Sequence, residues 1–377
     1  MIRVPFLELA RADAAIRDEL AQAAAEVIDS GWFVLGPQVE AFEAEFAAYV
    51  GAKHCVGVGN GLDAMTLCLQ AWGVGPGHEV VVPSNTYIAT WLAVTRCGAT
   101  LVPVEPSESS FNLEAAAVAD ALTERTSVVL PVHLYGRPAD VPEIRRTATA
   151  AGVKVLDDAA QAHGAECAGG RVGALADATA WSFYPTKNLG AVGDAGAVTT
   201  DDDDTAAALR ALRNYGTTSK YVNDRLGVNS RLDELQAALL RVKLRHLDEW
   251  VQQRGRIARA YLSGLASNGL MLPSAPSEGR HAWHLFVVRH PRRDDLQREL
   301  TARGIGTLIH YPIPPHLQGA YASMGKGVGS FPVSEAIHRE VLSLPLAPYL
   351  SDDEVSTVID TTVDACRVVG EQALSMP

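Results

Sequence analysis

Between residues 99 and 156 the chain alternates short apolar runs with longer stretches at helical spacing, and no other feature narrows the possible folds as much. The apolar runs cover residues 99–104, 127–132 and 153–156, and the helical stretches residues 113–122 and 141–151. Each run lacks the polar alternation of a strand with one wet face, so its sheet must be covered on both sides. A helix between two strands is the crossover that makes them parallel. The expectation is an α/β fold whose mostly parallel sheet is sandwiched by helices. Residues 79–83 with the helix start after them, and residues 54–58 running through glycines into an Ala- and Leu-bearing helix, extend the pattern towards the beginning of the chain.

Residues 178–183 read as a half-buried strand carrying aromatics. Pro185 ends it, and Lys187 follows in a loop thinned by Gly190, Gly193 and Gly196. A lysine is ordinarily a solvated surface group. At the floor of a pocket its amine loses the proton more easily and attacks carbonyl carbon, as a Schiff base with an aldehyde cofactor requires. Upstream, the run 153–156 ends in Asp157 and Asp158, and a carboxylate at a strand's C-terminal end points at the ligand crevice of an α/β sheet. If the ligand is pyridoxal phosphate, such an acid pairs with the pyridine nitrogen, so that the ring accepts carbanion electrons. Alternation puts the two acids on opposite faces, so only one can serve, and composition leaves open which; both also suit helix capping.

The turn at residues 58–63 passes from strand through Gly59 and Gly61 into helix. Unpaired N–H groups at a helix start, with glycine allowing close approach, form an anion site. His133 closes the 127–132 run and either borders the pocket or sits in the core. Residues 12–30 are Ala-rich with acids and stop at Gly31, the profile of a helix; Val39, Phe42, Phe46 and Tyr49 recur at helical spacing between Gly36-Pro37 and Gly51. The four acids at 201–204 open a helix to Leu212 and are explained by its dipole, not by a metal. Residues 213–236 hold too many polar groups for any core, so they are exposed or serve a ligand or a second chain.

Helices are expected over 232–250 and on to 265, followed by a Pro/Ser linker at 273–279. Beyond it lie a strand at 282–288, a helix at 294–303 and a strand at 305–309. This gives a large domain over residues 1–250 and a smaller α+β domain over 251–377. A chain of 377 residues with 47% hydrophobic content can bury cores for both. A net charge of -12 with no dense basic run argues against nucleic acid. The five cysteines (55, 68, 97, 167, 366) are scattered and include no C-x-x-C pair, so they read as reduced thiols. Residues 1–6 have no apolar leader core and no later run reaches membrane-spanning length; a soluble cytoplasmic protein is expected.

Asp157-Asp158-Ala-Ala-Gln161-Ala-His163-Gly164, followed by Ser182-Phe-Tyr-Pro-Thr-Lys187-Asn-Leu-Gly, resembles the DegT/DnrJ/EryC1/StrS family of sugar aminotransferases, and the likeness covers nearly the whole chain. The resemblance implies the aspartate aminotransferase fold (fold type I) and pyridoxal 5'-phosphate as cofactor. It assigns Asp158 to the pyridine nitrogen, Gln161 to the ring hydroxyl and Lys187 to the covalent link. Gly61, Leu62 and Ser182 would hold the phosphate. Leu62 stands where Thr or Ser is common, which removes a hydroxyl but keeps the backbone donor. Tyr87 would stack on the ring. Asn229 would reach the cofactor phosphate of a neighbouring subunit, which implies a homodimer with its active sites at the subunit interface. Tyr184, Tyr221, His310 and Tyr311 would flank the substrate, and residues 31–36 would lie near the site, although they also read as a hydrophobic loop under a helix. No metal is implied.

The reaction implied is transfer of an amino group from L-glutamate to a nucleotide-linked keto-6-deoxysugar. Tyr184 in the motif is more similar to enzymes that aminate carbon 3 of a dTDP-sugar than to those acting on carbon 4, which more often carry His there. Amination of a carbon-4 keto-sugar or a cyclitol stays open. A dehydrating branch carries His in place of the lysine, and Lys187 speaks against it. A non-catalytic regulator that binds a nucleotide sugar is the reading from another class; a yellow protein bleached by borohydride would exclude it.

Overall fold

The computed structural model describes residues 2–266, 268–276 and 278–374. Seven strands form the main sheet: β1 (His54–Val58), β2 (Glu79–Pro83), β3 (Thr100–Val104), β4 (Thr126–Val129), β5 (Lys154–Asp158), β6 (Ala178–Ser182) and β7 (Gly196–Thr200). Their spatial order is β1-β7-β6-β5-β4-β2-β3, and only β7 runs against its neighbours. The helices Gly61–Ala71, Ile88–Arg96 and Asp203–Leu212 cover one face, and Ala115–Ala121 with Val141–Ala150 cover the other. Val80 and Val82 pack into the first core and Val81 into the second, so all three are buried, as the unbroken apolar run requires.

The helix Pro37–Val50 begins with Pro37 in its first turn and ends on Gly51 at φ 83°, a left-handed position that glycine occupies without strain. It buries Phe42 and Phe46. The Phe46 ring meets Trp181 and Phe183 nearly edge-on at 5.1 and 5.3 Å, geometries that add roughly 0.5–1.5 kcal/mol each beyond burial. These contacts brace the strand that leads into the Lys187 loop. The segment read as one helix over 12–30 is divided: a short turn of helix at Leu9–Ala12, a tighter turn at Ala14–Ile16, and then Arg17–Ser30. The expected helix over 232–250 is also interrupted, at Arg245-His246, between Glu234–Leu244 and Leu247–Gly264.

A second core gathers the helices Leu247–Gly264, Arg293–Ala302 and Asp352–Leu374 around the antiparallel pair β8 (Phe286–Arg289) and β9 (Val341–Leu344). Val4 belongs to this core through a bridge to Ile305, so the start of the chain packs against its later part. We propose that the boundary between the two bodies lies near residue 250, with the first few residues joining the smaller one. Two expected strands are shorter or missing. Residues 282–285 are drawn onto the large body, Ala282 N–H to Gly136 O at 2.8 Å and Leu285 N–H to Tyr135 O at 3.2 Å, so pairing begins only at Phe286. Residues 305–309 divide their bonds between Val4 and Ser343 and form isolated bridges, not a ladder. The linker at 273–279 is irregular where described, with Ser277 outside the described residues. Among the described residues no helix is long and apolar enough to cross a membrane.

Candidate active site

Because every strand but β7 points the same way, the ends of β1, β2, β5 and β6 share one edge of the sheet. That edge is where an open α/β sheet leaves its ligand crevice. The turn before Gly61, Tyr87, Asp158 and Ser182 all emerge there.

Lys187 sits in a tight loop between β6 and β7. Its N–H donates to Tyr184 O at 2.8 Å, Ala191 N–H closes back on Phe183 O at 2.8 Å, and a Cβ at Gly190 would strike the Pro185 carbonyl. Asn188 is buried and donates to Ala282 O at 2.8 Å, which ties the loop to the segment drawn in from the smaller body. The pKa of the Lys187 amine is lowered to about 8 by burial, against an opposing pull from Asp158. The two groups feel each other's charge, yet no ion pair joins them among the described residues.

Asp158 ends β5 with its carboxylate buried. Thr90 Oγ1 donates to one oxygen at 2.8 Å and Ala160 N–H to the other at 3.1 Å. Burial pushes its pKa up, while these two donors and Lys187 pull it back. Asp157 is wholly buried with His133, whose Nε2 lies 3.4 Å from a carboxylate oxygen. His133 Nδ1 accepts the Ala139 N–H at 2.9 Å, which leaves Nε2 to carry the proton of the neutral ring. Of the two positions open to His133, the structure gives the core.

Gln161 follows within the same turn. Its Oε1 accepts the Tyr135 N–H at 2.6 Å and its Nε2 donates to Tyr311 OH at 3.1 Å. The first bond fixes the amide so that only N–H remains to face the crevice. The Tyr311 ring lies 5.0 Å from that of Tyr87, which is 52% exposed and free to offer a face. His310 Nδ1 is 2.8 Å from Ser343 Oγ, and burial lowers its pKa to about 4, helped by Lys187. His163 lies under Trp181 and Phe183 and is kept neutral by burial, its pKa lowered to about 3.

Asn60 caps the helix Gly61–Ala71 by accepting the Asp63 N–H at 2.8 Å. A Cβ on Gly61 would lie 2.7 Å from Ser182 Cβ, so only glycine fits there without displacement. Leu62 is partly buried against the sheet core and offers the helix start only its backbone. Ser230 joins this turn by accepting the Gly59 N–H at 3.0 Å and donating to Asp63 at 2.8 Å.

The structure thus brings Lys187, Asp158, Gln161, Tyr87, Tyr311 and His310 to one region, and Gly61, Leu62 and Ser182 to the turn beside it. It does not bring Tyr221 or Asn229 there within one chain. Tyr221 is 88% exposed, and Asn229 is a surface residue bridged through its backbone to Asn214. Tyr184 is half-exposed on the lysine loop. Sequence reading missed Thr90 and Tyr135. Thr90 lies one helical turn beyond Tyr87, so that spacing was the available signal; nothing in the sequence marks Tyr135.

The residues fit a phosphorylated pyridine aldehyde: an amine depressed by burial, a buried carboxylate held by two donors, an amide with its N–H turned outward, and a glycine turn against a serine. The model of the DegT/DnrJ/EryC1/StrS aminotransferase family matches residues 14–363. The chain is 54% identical over 359 residues to the erythromycin biosynthesis sensory transduction protein EryC1 of Saccharopolyspora erythraea, covering 95% of this chain and 98% of that one. It is 52% identical over 359 residues, 95% of each chain, to the dTDP-3-amino-3,4,6-trideoxy-alpha-D-glucose transaminase of Streptomyces venezuelae. The crystal structure of S. venezuelae DesV in complex with a ketimine intermediate is similar at a TM-score of 0.95 and 51% identity, over 97% of this chain and 99% of that one. A second, NtdA from Bacillus subtilis with bound cofactor PMP, gives a TM-score of 0.89 at 30% identity over 97% and 86%. A match that takes in the whole main sheet, the lysine loop and the acid-ended strand is decisive, and the chain belongs to the DegT/DnrJ/EryC1/StrS aminotransferase family.

Proposed function

We propose that this chain is a cytoplasmic pyridoxal-phosphate enzyme that moves the amino group of L-glutamate onto a dTDP-linked 3-keto-6-deoxyhexose, and that it works as a homodimer. The observation that carries this reading is the meeting of Lys187 and Asp158 at one site, where each senses the other's charge and, among the described residues, no ion pair joins them. A flat ring between amine and carboxylate would be gripped by both. The cofactor supplies an aldehyde that takes up amines and a protonated ring that holds electrons released at the neighbouring carbon.

Lys187, depressed to about 8, is partly neutral at physiological pH and can accept a proton from the substrate carbon, then return it as an ammonium. Asp158 would stay ionised opposite the cationic ring nitrogen, because Thr90 and Ala160 hold its oxygens and a facing cation offsets the cost of burial. The remaining N–H of Gln161 would hold the ring oxygen. Gly61, Leu62 and Ser182 would hold the phosphate, with Asn229 reaching in from a second subunit; Tyr87 would cover the ring. Tyr184, Tyr221, His310 and Tyr311 would orient the sugar. Burial keeps the Tyr311 phenol protonated, so it remains a donor.

The named activity of the S. venezuelae transaminase supports a dTDP-sugar aminated at carbon 3. The relative named for sensory transduction raises the regulatory alternative; Lys187, Asp158 and Gln161, all intact and assembled, favour catalysis. The test is incubation of purified holoenzyme with L-glutamate and a panel of 3-keto and 4-keto dTDP-sugars, with mass detection of the amine. The 3-keto sugar should be aminated; amination of a 4-keto sugar alone, or of none, would overturn the assignment.

A further inference from the structure

Beside the lysine loop lies a cavity of about 360 Å³, bordered by Phe6, Thr186, Arg254, His284, Leu308 and His310. Arg254 is its unusual wall. The residue is 6% exposed, and no carboxylate pairs with it among the described residues. Its Nη1 donates to the carbonyls of Trp283, His284 and Leu346 at 3.2, 3.3 and 3.0 Å. Among the described residues its Nε is buried without a partner and no hydrogen bond engages Nη2. Arg254 and Lys187 also share the walls of the small space under the lysine loop.

A guanidinium out of water with no counter-ion is costly, and a carboxylate met by two of its N–H groups removes most of that cost. The other ring groups of the cavity, His284 and His310, are pushed towards the neutral form by burial, so neither supplies the missing charge balance nor competes as a cation. The cavity therefore offers one unsatisfied positive group close to the amine that exchanges nitrogen.

We propose that Arg254 receives the carboxylate of the amino donor, in the cavity bordered by Thr186, His284 and His310. This rests on the transamination reading. Arg254 is a binding residue, not one that moves protons, so its loss should affect one half of the reaction only.

The test uses cofactor-loaded wild type, Arg254→Lys and Arg254→Gln, with the two halves followed separately by visible absorption. The first half is conversion by L-glutamate or L-alanine; the second is the return driven by the keto-sugar. The expected result is that Arg254→Gln raises the amino-acid concentration for half-maximal conversion about 10- to 100-fold, the worth of a charge-assisted bond. Arg254→Lys should fall between, and the sugar-driven half should stay close to wild type, which also shows that the variant is folded. Calorimetric affinity for 2-oxoglutarate should fall in parallel. Equal losses in both halves would make Arg254 a backbone clasp and overturn the proposal, as would no loss in either. A loss confined to the sugar half would assign the cavity to the substrate diphosphate and overturn it too. If no amino acid converts the wild type, the aminotransferase reading itself fails.

Discussion

The floor of the crevice and the polar loop at residues 213–231 are built by opposite means. On the floor, each functional group is held by another part of the same chain: Asp158 by Thr90 and Ala160, Gln161 by Tyr135, Asn188 by Ala282. The loop is anchored at its two ends, by Arg213 to Glu43 and Ser230 to Asp63, and its middle bonds to itself, Thr218 to Asp224 and Asn223 to the Tyr215 carbonyl and to Thr217. It exposes large apolar groups that one chain has no use for, Leu226 at 98% and Tyr221 at 88% among them. Exposed apolar surface of this kind marks an interaction site. The difference teaches that the groups around Lys187 and Asp158 are held within one chain, whereas the loop, on the proposed reading, acquires its role from a second copy.

The largest effects should come from breaking the floor. Lys187→Ala should abolish turnover of the keto-sugar and remove the yellow, borohydride-sensitive absorption; retained activity would point to another nucleophile. Asp158→Asn keeps the shape but removes the charge that faces the ring nitrogen. Turnover should fall by a factor on the order of 10³, as for other electrostatic partners of a reacting centre, with cofactor still bound as judged by its absorption. A loss under tenfold would move the pairing to another acid, and Asp157, wholly buried beside His133, is not placed for it.

The loop should respond differently. Leu226→Asp puts a charge where an apolar contact is expected, so the dimer should dissociate in sedimentation or light scattering and sugar turnover should fall at least about tenfold, the equivalent of 1.4 kcal/mol. Asn229→Ala, which removes one proposed phosphate contact, should leave the dimer whole and weaken cofactor binding by a similar or smaller factor. If instead Leu226→Asp leaves assembly and turnover untouched, the contrast between a floor held within one chain and a loop awaiting a second would be lost.

How much of this was legible in the sequence follows the same division. The sheet could be read because its strands are buried on both faces, and Val80, Val81 and Val82 give a signal that tertiary context does not alter. Lys187 and Asp158 could be located because strand ends and glycine loops have local signatures. Alternation puts the two acids on opposite faces, and the structure gives them different surroundings, Asp157 beside His133 and Asp158 held by Thr90. The residues that hold the floor could not be read. Tyr135 acts through a contact across 26 positions of sequence, and no local pattern marks it. The strand expected at 282–288 is cut back to begin at Phe286, and the one expected at 305–309 is lost, for the same reason: both segments give backbone bonds to distant partners, Gly136, Tyr135 and Val4.

The smallest expected effect separates floor from loop without any substrate. In the cofactor-free protein the Lys187 amine is held at about 8 by burial, below the ~10.4 of an unfolded lysine. Between these values the unfolded chain binds more protons than the folded one, so this group makes stability rise with pH. Its cost is present in full below about pH 8 and gone above about pH 10.4. Wild type alone is a poor gauge, because the buried thiols of Cys55 and Cys68 are raised by burial and lose stability as pH rises through the same range. Lys187→Met cancels that background, since it keeps the volume and removes the titration. Urea unfolding should find the variant more stable than wild type near neutral pH, with the gap closing as pH approaches 10.4. Leu226→Asp, measured against wild type in the same way at concentrations where both are monomeric, should show a difference that does not change over that window. A Lys187→Met gap that stays constant with pH would mean the amine is solvated, and the floor would then be no drier than the loop.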